Sequence, residues 1–300
     1  MDQPIVHATP RSDATRGLIA LACAFTTWGV LPLYMRLLRS VSPLQITAHR
    51  VLFCCIFVLG FLRLRGATGE VRQALIDPQS RVRLIATAVC ISINWVVFVW
   101  AVTNDHVVDA SLGYFINPLV NVVLAVVVLG ERLRRIQWLA VSLAASGVAY
   151  FTWQAGAPPW IALSLALSFG MYGLLRKTVA VDAMAGLGTE SLLVVPFAFG
   201  YLLLCEVDGS GVFLGGDTAL ILLLVLSGLL TAMPLWLFAF GARRVPYSTV
   251  GVMQYIGPTI SLGLGVFVFD EPFPAARALG FGLIWAGIAV YVIDGLRQRA

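Results

Sequence analysis

Hydrophobic residues along this chain run in long unbroken blocks, divided by short stretches that carry Arg, Pro and Gly. The blocks approach the roughly 20 residues that a helix rising 1.5 Å per residue needs to cross a hydrocarbon core about 30 Å thick. Ten such spans are read: Gly17 to Tyr34, Gln45 to Leu62, Leu84 to Val102, Val107 to Leu129, Ile136 to Trp153, Trp160 to Leu175, Met184 to Cys205, Thr218 to Phe240, Val245 to Phe269 and Ala275 to Ile293. A transmembrane barrel would alternate apolar and polar positions in segments of about ten residues. These runs do not alternate, so helices are the way left to satisfy the backbone in lipid. The pattern predicts an all-α polytopic membrane protein of ten transmembrane helices.

Composition agrees with that reading. Hydrophobic residues make up 59% of the 300 and charged residues 12%, against roughly 25% charged in a soluble domain. The five cysteines, Cys23, Cys54, Cys55, Cys90 and Cys205, all fall inside spans, without the spacing of a disulfide framework or zinc site. The net charge of +5 forms no continuous basic stripe, which argues against nucleic acid as a partner. The basic residues are instead sorted by loop. Alternate loops collect sixteen of the 20 Lys and Arg on one side, and only Arg36, Arg39 and Arg277 on the other, with Arg50 inside a span. By the positive-inside rule both termini are cytoplasmic and the membrane is the cell inner membrane. Residues 1–16 and 295–300 are then cytoplasmic segments.

A displacement of 140 residues brings the halves into register. It sets Phe98 on Phe238, Pro118 on Pro258, Glu131 on Glu271, Gly147 on Gly287 and Ala149 on Ala289. Residues 17–153 and 158–294 are therefore read as two repeats. Each holds five spans, an odd number, so the second enters the membrane from the opposite side. Inverted repeats recur in secondary transporters, where the two halves exchange conformations around a site near the midplane.

Polar residues deep in the spans are the candidates for such a site. Asn94, Asn117 and Gln254 lie about 15 Å from the membrane faces, and amides there either bond between helices or line a cavity. Pro118 and Pro258 are expected to kink their helices, because each lacks the N–H that would bond four residues back. Arg50 and Glu190 occupy equivalent positions in the two repeats, each about 10 Å inside its span. An intramembrane charge costs at least about 2.5–3.5 kcal/mol and calls for a function or a partner. A direct Arg50–Glu190 pair is open, but the depths resist it, since about 10 Å of height separates them. His49 offers a group that titrates near neutrality or a satisfied structural ring. Trp95, Tyr114 and Tyr255 complete the expected cavity lining, Trp95 as a stacking surface. No catalytic residue, metal site or cofactor is expected.

The stretch ASLGYFINPLVNVVLAVVVLGERLRRIQWLAVSLAASGV (Ala110 to Val148) and its partner GVMQYIGPTISLGLGVFVFDEP (Gly251 to Pro272) resemble the two copies of the EamA domain of the drug/metabolite transporter superfamily. With TAHRV (Thr47 to Val51), NWVVFVWAV (Asn94 to Val102) and Trp28-Gly29, the chain resembles the RarD branch, the chloramphenicol-sensitivity proteins, over nearly its whole length. The resemblance implies ten helices, two EamA repeats, cytoplasmic termini and a central substrate cavity. One feature departs from it: small multidrug-resistance relatives carry a coupling carboxylate in their first helix, and Gly17 to Tyr34 contains no Asp or Glu. The expected function is secondary active transport of a small metabolite or drug, with export as the direction, by a monomer or homodimer in the lipid bilayer. A membrane-embedded scaffold is the alternative. An intramembrane enzyme is disfavoured, since no H-E-x-x-H, paired-carboxylate metal motif or nucleophile-base pair occurs.

Overall fold

A computed structural model describes residues 11–129, 133–215, 217–245, 250 and 253–297. Glu131, Arg132, Arg299 and the first ten residues, all used in the sequence reading, lie outside them. The described residues form eleven helices: α1 (Arg11–Arg36), α2 (Pro43–Leu64), α3 (Thr68–Ile76), α4 (Pro78–Thr103), α5 (Val107–Leu129), α6 (Arg135–Ala155), α7 (Trp160–Lys177), α8 (Ala183–Asp208), α9 (Thr218–Ala242), α10 (Ile256–Phe267) and α11 (Ala275–Arg297). Seven of them, α1, α2, α4, α5, α8, α9 and α11, are long and apolar enough to cross a membrane.

Local chemistry sets where these helices begin. Ser42 caps α2 by accepting from the Gln45 N–H, Pro43 occupies the first helical position, and Asp77 with Pro78 repeats the arrangement at α4. A side-chain oxygen before the helix and a Pro just inside it satisfy or remove amides that have no helical partner. Helix α3 is an addition to the reading, which left residues 63–83 as a loop. It is short and turns Val71 and Ala74 inward while Glu70 and Arg72 stay exposed. Its apolar face is too brief to register as a span.

The distribution of side chains is inverted relative to a water-soluble bundle. Large apolar residues such as Ile19, Ile56, Val127, Phe197 and Leu204 face outward, while Arg50, Thr87, Asn94, Asn117, Glu190, Ser227 and Thr231 are buried. Lipid tolerates the first and forces the second to find partners.

Helix α1 packs on α9 and α10, as α7 packs on α4 and α5; α2 packs on α8, α5 on α10, and α6 on α11. The last of these contacts is a close one. A Cβ placed on Gly147 would lie 2.8 Å from the Gly280 carbonyl oxygen, and one placed on Gly287 would lie 2.6 Å from that of Ala140. Glycine at both positions lets the two backbones touch. Beside this seam Phe281, fully buried, packs edge-on against Phe151 and Phe115.

Pro118 lies inside α5. Pro258 is the third residue of α10, whose cap is Tyr255; Val250 and Met253 ahead of it are also helical, and the chain turns at Gln254 and Tyr255, just before this proline.

Candidate functional site

Arg50 sits two turns into α2, four per cent exposed. Its Nε donates to Thr231 Oγ1 of α9 at 2.6 Å, and its guanidinium carbon stands 4.9 Å from the centre of the Trp95 ring of α4. Tyr34 of α1 and Tyr114 of α5 are close enough to feel its charge. Among the described residues no carboxylate lies within ion-pair distance of Arg50, and Nη1 is buried without a hydrogen-bond partner. A guanidinium has five donors in a fixed fork. A neutral hydroxyl and a ring face supply no counter-ion, and Nη1 is left without a partner.

The floor of this site is an amide held rigid from three sides. Asn94 donates from Nδ2 to the Leu165 carbonyl at 3.0 Å and to Ser168 Oγ at 3.1 Å, and its Oδ1 accepts from the Tyr114 hydroxyl at 3.2 Å. Asn94 thus ties α4 to α7 and fixes Tyr114 beside Arg50.

Glu190 does not pair with Arg50. It lies two turns into α8, two per cent exposed, and its Oε1 accepts from Thr87 Oγ1 of α4 at 2.7 Å. Oε2 accepts from the Tyr172 hydroxyl of α7 at 3.3 Å, and the Nε of Arg176 stands 3.7 Å from Oε1. Arg176 counted as a loop cation in the sequence reading. It belongs to the last turn of α7 and folds its stem back along the helix, so that its head enters the bundle. No ion pair joins Arg50 and Glu190, and each has its own partners, although both lie near the Trp95 ring. That ring lines a small void, about 10 Å³, together with Glu190, Ser191, Ser92 and Val51.

Gly186 explains how Arg176 gets there. A Cβ on Gly186 would meet the Arg176 guanidinium at 2.1–2.5 Å, so the side chain lies flat on bare backbone. Gly186→Ala should displace the flexible arginine and leave the helices in place. Measured by thermal unfolding, Gly186→Ala and Arg176→Gln should each lower stability, and the double variant should lose no more than the larger single loss, because both break one contact. Additive losses would mean that the glycine serves something else.

The remaining candidates are not brought to Arg50. His49 donates from Nδ1–H to the Gln45 carbonyl at 2.9 Å and stacks on Phe213. Asn117 donates to the Ala166 carbonyl at 3.3 Å and accepts from Asn121 at 3.0 Å, so it joins α5 to α7. Gln254 and Tyr255 form the turn before α10, where Tyr255 stacks on Phe115. A larger groove of about 330 Å³ runs between α5, α6 and α7, lined by residues such as Leu119, Val123 and Val148, and holds none of the candidates.

Sequence reasoning missed Thr231, Thr87, Tyr172 and Arg176. Tyr172 and Arg176 carry a signal, being one helical turn apart on one face. The two threonines carry none, since hydroxyls are common in bundle helices. It did mark Glu271, whose role is now visible. The buried carboxylate accepts from the Val107 and Val108 amides at 2.6 and 2.8 Å and so closes the N-terminus of α5 with the charge a helix dipole favours there.

Residues 15–153 match the EamA-like transporter family. The chain is 41% identical over 292 residues to the uncharacterized transporter YojE of Bacillus subtilis (strain 168), covering 96% of this chain and 97% of that one. It is 42% identical to protein RarD of Streptomyces exfoliatus, over 95% of this chain and 91% of that one. The corresponding figures for protein RarD of Escherichia coli (strain K12) are 40%, 94% and 95%. A solved crystal structure shares the fold at a TM-score of 0.59 and 21% identity, covering 94% of this chain and 97% of that one. With relatives this similar over nearly full length, and seven apolar spans of its own, the chain is a RarD-type member of the EamA family and a multi-pass inner-membrane transporter.

Proposed function

We propose that the protein is a secondary active exporter of a small molecule that bears an anionic group, and that Arg50 receives that group. The observation that carries this is the buried guanidinium with no carboxylate among the described residues, set between helices from both halves of the chain. Burial of an uncompensated charge is costly, and a substrate anion is the partner the site lacks. The planar Trp95 face and the two tyrosines suit a flat, small anion.

In this reading ten spans form two inverted five-helix repeats, residues 17–153 and 158–294, which alternate access around the Arg50 layer. The matched packing of α1 on α9 with α7 on α4, and the reciprocal glycines of α6 and α11, support it. Both termini are cytoplasmic. Alkaline phosphatase fused after Ser210 should be active and fused after Arg72 inactive; the reverse result would discard the topology and the inverted repeat together.

Benzoate and benzamide test the anion. They share a shape and differ in charge. Benzoate should raise the melting temperature of the purified protein as its concentration rises, since a ligand that binds the folded state stabilises it, and benzamide should not. Equal shifts would remove the charge from the argument.

A further inference from the structure

We propose that Glu190 is a proton-exchange site on the Arg-rich side of the bundle, with Arg176 as the counter-charge it gains and loses. The inference rests on the transporter reading only for its purpose, which is to supply the driving ion. The site itself stands on geometry. Thr87 Oγ1 lies 2.7 Å from Glu190 Oε1 and 3.0 Å from the Leu84 carbonyl oxygen, and a hydroxyl has one hydrogen for these two acceptors. With Glu190 ionised, Thr87 gives its hydrogen to Oε1. With Glu190 protonated, the acid donates to Thr87 Oγ1 and Thr87 turns its own hydrogen to Leu84. Both states of the carboxyl are satisfied by the same three groups, without moving a helix.

The counter-charge is poised in the same way. Arg176 Nε is 3.7 Å from Oε1, an ion pair without a hydrogen bond, while its Nη1 is buried without a partner among the described residues. An attraction of this kind survives only while the carboxylate is charged. When Oε1 takes a proton from a hydronium ion, a neutral acid and a water remain, and the guanidinium loses the one carboxylate that holds it over Gly186. Loss of the proton restores the pair. A metal cation does not fit here, because the guanidinium would repel it and the other oxygens are hydroxyls of Thr and Tyr.

The surroundings contain few competing groups. Helix α7 brings Tyr172 and Arg176, and α2 brings Cys54, 3.9 Å from Ser191 Oγ, and Arg50, whose guanidinium stands over the Trp95 ring. Helix α4 brings Cys90 and the exposed Arg81 and Arg83, α3 the exposed Glu70 and Arg72, and α9 no ionisable residue. Glu190 is the one carboxyl within this set of contacts that both lies in the bundle and faces hydroxyl donors.

Infrared difference spectra of the full chain in lipid nanodiscs, titrated with acid, read the proton directly. Beyond the absorption of the exposed carboxyls, a buried protonated-carboxyl C=O band should appear on acidification in the wild type, be lost in Glu190→Gln, and return at a displaced frequency in Glu190→Asp. The Asp variant keeps the test alive if the Gln variant fails to fold. Arg50→Gln should retain the band, so that failure of the anion reading and failure of this one are told apart. A wild-type protein without the band, or a band unchanged in both Glu190 variants, would overturn the proposal.

Discussion

Arg50→Gln removes most of the binding of a benzoate-type anion and leaves the protein folded. Glutamine keeps a donor for Thr231 but loses the charge, and a hydrogen bond to a charged group contributes about 1.5–3 kcal/mol, which corresponds to roughly 10- to 150-fold in affinity. Arg50→Lys should retain part of the binding, because a lysine keeps the charge while losing the fork and the stacking on Trp95. A structural pair with Glu190 would instead make Arg50→Gln destabilising and let Glu190→Gln rescue it. The two side chains have separate partners, so no rescue is expected. Melting temperature and benzoate titration on the single and double variants decide the matter, and restored stability in the double variant would refute the anion role.

A large loss of stability is expected from Gly287→Val. A Cβ there meets the Ala140 carbonyl oxygen at 2.6 Å and the Ala144 nitrogen at 3.3 Å, atoms that belong to backbone and cannot turn aside. Overpacking of this kind costs typically about 1–3 kcal/mol, occasionally more. Gly282→Val, five residues earlier on the same helix, is the control, since a Cβ there meets nothing within 4 Å. Thermal unfolding should separate the two clearly. Equal melting temperatures would show that α6 and α11 do not pack through these glycines in the membrane.

What could be read without the structure follows from how local each signal is. The seven long apolar helices were legible because hydrophobic length is a property of a single segment, and Arg50 and Asn94 because a polar residue in such a segment is unusual wherever the helix goes. Partnership was not legible. Arg176 falls at a helix end, where a cation is ordinarily assigned to water, and only the backward course of its stem over Gly186 brings it to Glu190. Asn117, similar in depth to Asn94, differs only in what stands opposite, the Ala166 carbonyl and Asn121 instead of a tyrosine beside a buried cation.

The pairing of α6 with α11 also sets a timetable for the ribosome. Helix α6 packs chiefly on α11, and α11 is the last helix in the chain. Nascent chains acquire structure from the N-terminus onward, so the glycine face of α6 meets lipid while α7 to α10 are still being translated. A stop codon ahead of Ala275 would therefore leave α6, made more than a hundred residues earlier, without the helix it packs on.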